Sequence, residues 1–585
     1  MTDDVARAAL PAKEAGDSDR DNRLIVQLAA AWLWLPLALL AISREHSDNF
    51  TYWLMVTQNH ELLLVWFALA ALIMIPLRVG PAVLALSRVQ VAALALVIGV
   101  IAYVGHYWLL GGYDLSRDEQ MASFDTLIYS AGHLAWPLPA LWQATPAPLN
   151  MLFMLPAEHP VAWVSGYLPG NSLLRALFAR LGDPALTGAV LNMLSVLLVW
   201  GCARRIWPSD DTRGREPSVV AVLLLVLSGQ MVMTGMTAFA MTSHLCVNMA
   251  WLWLFLRDRR GSDLAALVVG FVGIGLHQPL FHPLFVAPFL VLLLLDRRWG
   301  RVALFAGFYA LAGVFWMKWP MLTHSLITAP HAVASTVGTD YWTRLTQVLG
   351  QNHDNIAIMA ANLLHFVTWQ HLLLIPLVVA GCMAARHDRM AAALAVGFVL
   401  PIVVMTIILP FQGHGFGYRY VHGVLGNAAL LGGYGWRRLE AFHHRLRPLF
   451  VRACLATLLV LLPTQAWGTH GLYTAYARIN ARIAAVGTDY MIIGEHDVPL
   501  AMDLVLNRPD LGNRPIRLDD QEIDDTDALA QRICHPGVTM ALPTDAFYRD
   551  VMHWYGWPPM GDADRRLAEE TTAFRDGGCK VVQLN

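Results

Sequence analysis

Long blocks of apolar residues, each about 16 to 22 residues, constrain the fold of this chain more than any other sequence feature. A helix of that length crosses the roughly 30 Å hydrocarbon layer of a bilayer. Hydrophobic residues make up 56% of the 585 residues and charged residues only 14%, which excludes an ordinary water-soluble protein. We therefore predict an all-α polytopic membrane protein with about 13 transmembrane helices. The predicted spans are residues 24–42, 61–77, 89–110, 186–203, 218–236, 241–256, 263–277, 279–295, 302–320, 361–383, 390–410, 421–436 and 449–467.

The arginine distribution predicts how these spans are oriented. The loops 204–215 and 437–447 are rich in Arg, whereas the long loop 321–360 contains only Arg344. Positively charged loops stay in the cytoplasm, so the Arg-rich loops lie inside. The polar segment 1–23 lacks a cleavage-site pattern and is predicted to be a disordered cytoplasmic tail. An odd number of crossings then places the C-terminus outside, in the periplasm if the membrane is a bacterial inner (plasma) membrane.

Outside the spans, this topology predicts soluble pieces on the outer side. Apolar residues at helical spacing in loop 111–185 indicate helices that lie along the membrane interface, and loop 321–360 is too polar to span. Residues 485–585 abandon the membrane pattern, and their short apolar runs alternate with helical segments. We therefore predict a small C-terminal α/β periplasmic domain at 485–585, after a transmembrane region at 24–484.

Several classes of site leave no signal in the sequence. There is no CxxC pair or His-rich run of the metal-binding kind, and no Gly-rich nucleotide-binding loop. We expect no metal, no other cofactor and no nucleic-acid partner. Cys534 and Cys579 both fall in the predicted periplasmic domain, but the sequence leaves open whether they form a disulfide.

An acidic cluster opens the first long outer loop, where Asp114, Asp118 and Glu119 follow the third predicted span. Ser116 and Glu119 fit a capping box, and Asp118 in the first turn suits the helix dipole, so a purely structural account is available. A carboxylate at this depth could instead act as general base while a donor stays in the bilayer. Neighbouring helical residues point about 100° apart, so only one of the two can lead. Asp118 is the better catalytic candidate, with Glu119 beside it, because Glu119 has the capping role.

A Gly-rich segment at residues 411–423, FQGHGFGYRYVHG, lies at the outer end of a predicted span. Its glycines allow the backbone to approach a ligand closely. Arg419 presents a planar cationic fork that suits phosphate oxygens, although an arginine here could also snorkel to lipid headgroups. Four aromatic or imidazole side chains around it are further binding candidates: His414, Tyr418, Tyr420 and His422.

Other polar residues at predicted outer span ends complete the set of candidate binding residues. Lys318 is either a second cation for a lipid-linked phosphate or a snorkelling lysine. Three histidines are either satisfied interface residues or ligands of a sugar or phosphate: His244, His277 and His282.

The Asp118–Glu119 pair at the start of the large outer loop and the Gly-rich segment ending in Arg-Tyr resemble the signature of GT-C superfamily glycosyltransferases. The dolichyl-phosphate-mannose–protein mannosyltransferases and the lipid A aminoarabinose transferases are the most similar families. The resemblance implies a GT-C-like membrane region and single-displacement, inverting transfer. In one respect the sequence departs from these families: the acidic loop follows the third predicted span instead of the first. Residues 24–77 would then be an added hairpin, or the first two predicted spans belong elsewhere.

These observations predict a glycosyltransferase that uses a polyprenyl-phosphate sugar donor, with Asp118 as general base and Arg419 on the donor phosphate. Its partners would be that donor, membrane lipids and an acceptor that is a glycan, a lipid or a protein. An O-antigen ligase or polymerase acting on a lipid diphosphate is an alternative that leaves the Asp-Glu pair unexplained. A lipid or polysaccharide transporter is another, but it predicts ionisable residues near mid-span and a repeated span pattern.

Overall fold

The computed structural model describes residues 27–30, 32–43, 50–75, 84–208, 212–328, 355–494, 500–549, 551 and 563–585. The predicted tail 1–23 and most of loop 321–360 lie outside the described residues. The described chain is predominantly helical. Its helices are α1 (Gln27–Ile42), α2 (Phe50–Met74), α3 (Arg88–Trp108), α4 (Arg117–Ser130), α5 (Ala140–Gln143), α6 (Gly170–Arg180), α7 (Leu186–Ile206), α8 (Thr212–Val226), α9 (Gly229–Thr234), α10 (Met241–Phe255), α11 (Arg260–Ile274), α12 (Phe281–Leu295), α13 (Trp299–Ile327), α14 (Asn355–Thr368), α15 (Leu374–Ala384), α16 (Arg389–Ile408), α17 (Leu425–Arg438), α18 (His443–Ala456), α19 (Leu462–Ala485), α20 (Thr526–Ile533) and α21 (Ala563–Asp576).

Six of the described helical segments are long and apolar enough to cross a bilayer. Many of their large apolar side chains face outward, such as Leu64 and Leu311, which are 73% and 74% exposed. Such a surface is stable only against lipid, so the chain is a multi-pass membrane protein. The six segments are Met55–Met74, Arg88–Trp108, Leu186–Ile206, Trp299–Ile327, Arg389–Ile408 and Arg445–Ala485.

The other predicted spans are shorter or interrupted helices, so the total of about 13 crossings stays a prediction. The block 361–383 is divided between α14 and α15. The block 218–236 is divided between α8 and α9, where the Ser228 side chain caps the new helix by accepting a hydrogen bond from the Met231 amide. Such breaks are tolerated at membrane depth where the backbone is buried in protein, and hydropathy alone does not reveal them.

The loop 111–185, predicted to lie on the outer side, is folded and carries α4 and α6, which pack on each other. A short antiparallel ribbon, β1 (Trp136–Pro137) with β2 (Ala162–Trp163), lies between them in the chain. After β2, the Ser165 amide donates to Asp125 of α4, the Gly166 amide donates to the Phe153 carbonyl, and the Leu168 amide donates to the His277 carbonyl. The segment 165–168 is thereby fixed beside α4.

The C-terminal segment contains a parallel sheet in the order β4-β3-β5-β6. A disulfide joins Cys534, after α20, to Cys579, just before the last strand, which answers the question that the sequence left open. Apolar residues of this sheet share one buried cluster with residues of the outer loop, so the two pack together. The strands are β3 (Tyr490–Ile493), β4 (Ile516–Asp519), β5 (Thr539–Pro543) and β6 (Lys580–Leu584).

Candidate active site

Helix α4 begins as the capping pattern predicts. The Ser116 side chain accepts from the Glu119 amide, and the Glu119 carboxyl group accepts from the Ser116 amide at 3.2 Å. Glu119 is completely buried and also accepts from the Tyr473 hydroxyl of α19 at 3.0 Å. Burial and the nearby Asp114 carboxylate raise the pKa of Glu119 to about 8. Burial therefore favours the neutral form of Glu119, which connects α4 to a membrane helix through Tyr473.

Asp118, the preceding residue, is bound in a different way. Its Oδ2 lies 2.7 Å from Nη1 of Arg419, and its Oδ1 accepts a hydrogen bond from the Tyr167 hydroxyl. Burial raises the pKa of Asp118, but Arg419, His277 and the Tyr167 hydrogen bond outweigh burial and lower it overall. Asp118 is therefore a carboxylate anion at neutral pH.

Arg419 owes its position to the Gly-rich segment. A side chain at Gly415 would place its Cβ 2.3 Å from Cδ of Arg419, so only glycine leaves room for the arginine there. The Arg419 amide donates to Oε1 of Gln412 at 2.8 Å, and the guanidinium donates to the Gln412 carbonyl. The guanidinium also lies 4.9 Å from the centre of the Phe239 ring. Arg419 is only 6% exposed, so it lies inside the protein and not at a snorkelling position.

Two cavities flank the ion pair. One, of about 310 Å³, is lined by Asp118 and by hydroxyl and amide side chains of the outer loop, including Ser165 and Asn171. The other, of about 390 Å³, is lined by Arg419 together with Tyr420 and His244. His277 lines both cavities. Asp118 thus lines the first space and Arg419 the second.

The structure divides the candidate histidines into two groups. The ring of His277 lies 4.1 Å from that of Tyr167, and burial, with the nearby Arg419 charge, lowers the pKa of His277 to about 4. His244 has no hydrogen-bond partner for either ring nitrogen among the described residues, so it is free to bind a ligand.

The other three histidines line neither of these two cavities. His282 is satisfied by Asn248 at 2.7 Å and by Tyr309 at 2.8 Å, which makes it a core residue. His422 is completely buried, and His414 lies 3.4 Å from Asp503.

Of the remaining candidates, only Tyr420 lies beside the pair. Its hydroxyl donates to the Phe411 carbonyl at 3.1 Å, and its ring lines the guanidinium-side cavity. Tyr418 is buried and lines neither cavity. Lys318 is exposed on α13, with Nζ 3.5 Å from the Met321 sulfur, and it too lines neither cavity. The geometry therefore does not support Lys318 as a second cation at this site.

Sequence reasoning missed three residues that hold the pair. Tyr167 binds Asp118, Gln412 anchors Arg419, and Phe239 lies against the guanidinium. Gln412 belongs to the Gly-rich segment and could have been included with it, whereas no local pattern marks Tyr167 or Phe239. Among the residues that the structure describes, no group of three or more His, Cys, Asp or Glu side chains could hold a metal ion.

No family model and no curated protein matches the chain. Among solved structures, it is similar to ArnT from Cupriavidus metallidurans bound to undecaprenyl phosphate, at 12% identity over 85% of this chain and 90% of that chain, with a TM-score of 0.47. The apo form of ArnT matches at 13% identity over 84% and 92%, with a TM-score of 0.46. An Archaeoglobus fulgidus oligosaccharyltransferase in complex with Zn and sulfate matches at 12% identity over 84% and 67%, with a TM-score of 0.43. These neighbours are GT-C glycosyltransferases, the superfamily that the sequence motifs resemble. At TM-scores below 0.5 they do not by themselves assign an activity or a ligand to this chain.

Proposed function

We propose that the chain is a glycosyltransferase that moves a hexosyl or pentosyl group from a polyprenyl-phosphate donor to an acceptor at the outer face of a bacterial inner membrane. The buried pair of Asp118 and Arg419, with a cavity on each side, carries this proposal. The pair combines an ionised carboxylate, which can take a proton, with a guanidinium, which can bind phosphate. Both are needed for transfer from a lipid-linked sugar.

In the proposed reaction, Asp118 takes the proton of the acceptor hydroxyl or amine as that group attacks the anomeric carbon. The bond between the anomeric carbon and the phosphate oxygen breaks, and its electron pair stays on the departing lipid phosphate. Arg419 stabilises the charge that develops on that phosphate. A single displacement of this kind inverts the configuration at the anomeric carbon.

The charge at the site favours a donor with one phosphate over the diphosphate of a ligase or polymerase. Within the described part of the chain, Arg419 is the one Arg or Lys that lines either cavity. A sugar phosphodiester carries one negative charge and a diphosphate two, and a single guanidinium that already pairs with Asp118 suits the smaller charge. His277 is neutral at pH 7 and, with His244, offers hydrogen bonds to phosphate or sugar oxygens.

Contacts with the C-terminal segment support placing residues 485–585 as a domain on the same outer side as the acceptor. The Gln120 amide group of α4 donates to the Asp503 carbonyl at 2.6 Å, and the Asn150 amide group donates to the Met502 carbonyl at 2.7 Å. A disulfide in this segment suits an oxidising compartment such as the periplasm. We propose that this domain helps to shape the acceptor side of the site.

Mass spectrometry of the lipid that co-purifies with the Asp118→Asn variant tests the proposed function. Without a base the variant binds but does not use its donor, so we expect a sugar-linked polyprenyl phosphate to accumulate on it. Asp114→Asn is the matched control, because Asp114 belongs to the same acidic cluster but bonds Ser123. A trapped lipid diphosphate would favour the ligase alternative. Protein that moves lipid-linked sugar across vesicles without making a glycosidic bond would favour the transporter.

A further inference from the structure

Helix α4 carries a second buried carboxylate on the same face as Asp118. Asp125 follows it by seven residues, two helical turns and about 10.5 Å along the axis. It is 1% exposed, and among the described residues it forms no ion pair. Its Oδ1 accepts from the Ser165 amide at 3.0 Å, and its Oδ2 accepts from the Ser165 hydroxyl at 2.5 Å. Burial raises the pKa of Asp125 to about 7, against the hydrogen bonds from Ser165 and Tyr129 that lower it, so Asp125 is costly to ionise and is held in place by these bonds.

The two carboxylates of α4 hold the same short segment at two points. Asp125 binds Ser165, and Asp118 binds the hydroxyl of Tyr167, two residues further along the chain. The Ser165 hydroxyl also accepts from the Tyr167 amide at 3.3 Å, which connects the two points directly. The hydrogen bonds between Asp125 and Ser165 therefore help to position the Tyr167 hydroxyl. Through that hydroxyl they also help to position the Asp118 carboxylate.

We infer that Asp125 is a positioning residue for the general base, acting through Ser165 and Tyr167. This inference rests on the proposed function. A donor phosphate would share the Arg419 guanidinium with Asp118, so the Arg419 bond weakens when the site is loaded. The Tyr167 hydroxyl is then the remaining described hydrogen-bond donor on Asp118. It holds the carboxylate in place for the acceptor only if Tyr167 is itself fixed, and the bonds between Asp125 and Ser165 fix it together with the backbone bonds of Gly166 and Leu168.

The test compares two serines that each donate a 2.5 Å hydrogen bond to a carboxylate near α4. Ser165→Ala removes the hydroxyl bond to Asp125 and leaves the bond from the Ser165 amide, whereas the control Ser123→Ala removes the hydroxyl bond to Asp114. Turnover is measured in membranes that retain the acceptor, as release of polyprenyl phosphate from the lipid-linked sugar recovered with the Asp118→Asn variant. We expect kcat of Ser165→Ala to fall about tenfold with KM for the donor unchanged, and kcat of Ser123→Ala to change less than about twofold.

A double-mutant cycle separates positioning from simple destabilisation. If Ser165 acts through Tyr167, the Ser165→Ala/Tyr167→Phe double variant has the same kcat as Tyr167→Phe alone. Asp125→Asn should follow the same rule. The inference would be overturned if the two single losses of kcat multiply in the double variant, or if Ser165→Ala and Ser123→Ala lose kcat to the same extent.

Binding of undecaprenyl phosphate to each variant shows that the fold is intact, because Arg419 is unchanged, and a variant that loses this binding counts against pure positioning. A fully active Asp118→Asn enzyme would instead defeat the proposed function. Additive losses in an enzyme that depends on Asp118 defeat only this inference.

Discussion

Two neighbouring carboxyl groups on helix α4, those of Asp118 and Glu119, lie in opposite electrostatic environments. Asp118 faces Arg419 and Tyr167 and is held as an anion, whereas Glu119 faces Ser116 and Tyr473 and is held as a neutral acid. Both side chains are buried or nearly so, so burial does not distinguish them. A cation within hydrogen-bonding distance distinguishes them. Of these two carboxyl groups, the one that has such a cation is ionised at neutral pH and can serve as a base.

Asp118→Asn gives the largest expected effect. The amide keeps the size of the side chain but takes no proton, so we expect kcat to fall by about a thousandfold. Binding of undecaprenyl phosphate, measured directly, should be retained, because Arg419 remains. Turnover within about threefold of wild type would remove Asp118 from the chemistry and end the contrast between the two carboxyl groups.

Arg419→Lys comes next. Lysine keeps the charge but loses the fork that reaches Asp118, Gln412 and a phosphate together, so kcat/KM for the donor should fall at least about tenfold. Lys318→Ala is the control, since Lys318 is exposed on α13 and lines neither cavity. A larger loss in Lys318→Ala than in Arg419→Lys would show that the phosphate is bound elsewhere.

Tyr167→Phe should have a smaller effect that depends on pH. The Tyr167 bond helps to lower the pKa of Asp118, so its removal raises that pKa. A base works only when ionised, and activity is lost as pH falls through its pKa. The acidic limb of kcat against pH should therefore move to higher pH, with a loss at pH 7.5 of about three- to tenfold. An unshifted limb would mean that Tyr167 does not act on Asp118.

Glu119→Gln should change turnover least, by less than about twofold, because the neutral amide resembles the protonated acid. The stability of the wild-type protein, by contrast, should depend on pH through Glu119. Burial raises the pKa of folded Glu119 from 4.5 to about 8, so the folded protein binds more protons and wild-type stability declines as pH rises between those values. The variant lacks this decline and should melt a few degrees higher than wild type at pH 8.5 in detergent. If the wild-type protein has the same melting temperature at pH 4.5 as at about pH 8, Glu119 is ionised in the folded protein.

The sequence predicts features that depend on nearby residues better than those that depend on distant ones. The Ser116–Glu119 capping box is local and forms as expected, and Gly415 leaves room for the Arg419 side chain, while the approach of a ligand to this backbone stays a prediction. The contact between Asp118 and Arg419 joins residues 301 positions apart, so one sequence contains no pattern that pairs them. For the same reason Tyr167 was missed.

Two other sequence expectations differ from the structure, because hydropathy describes the composition of a segment and not the direction of its side chains or backbone. Lys318 was a candidate cation because it lies near an outer span end, but its direction on the helix decides its role, and it is exposed on α13. Likewise, blocks such as 361–383 read as one span although the helix is broken within them. Polar backbone at such a break is satisfied by surrounding protein, which leaves no mark on the hydropathy profile.

The 2.7 Å contact between Asp118 and Arg419 also bears on the order in which substrates bind. A phosphate and the Asp118 carboxylate would both bind the same guanidinium, so their affinities for it are linked. An interaction that strengthens one weakens the other by the same factor. If the proposed function is right, the enzyme without donor keeps the Asp118 carboxylate paired with Arg419. The lipid phosphate would then compete for the guanidinium and free the carboxylate for the acceptor, so the proposed function predicts that the donor binds before the acceptor.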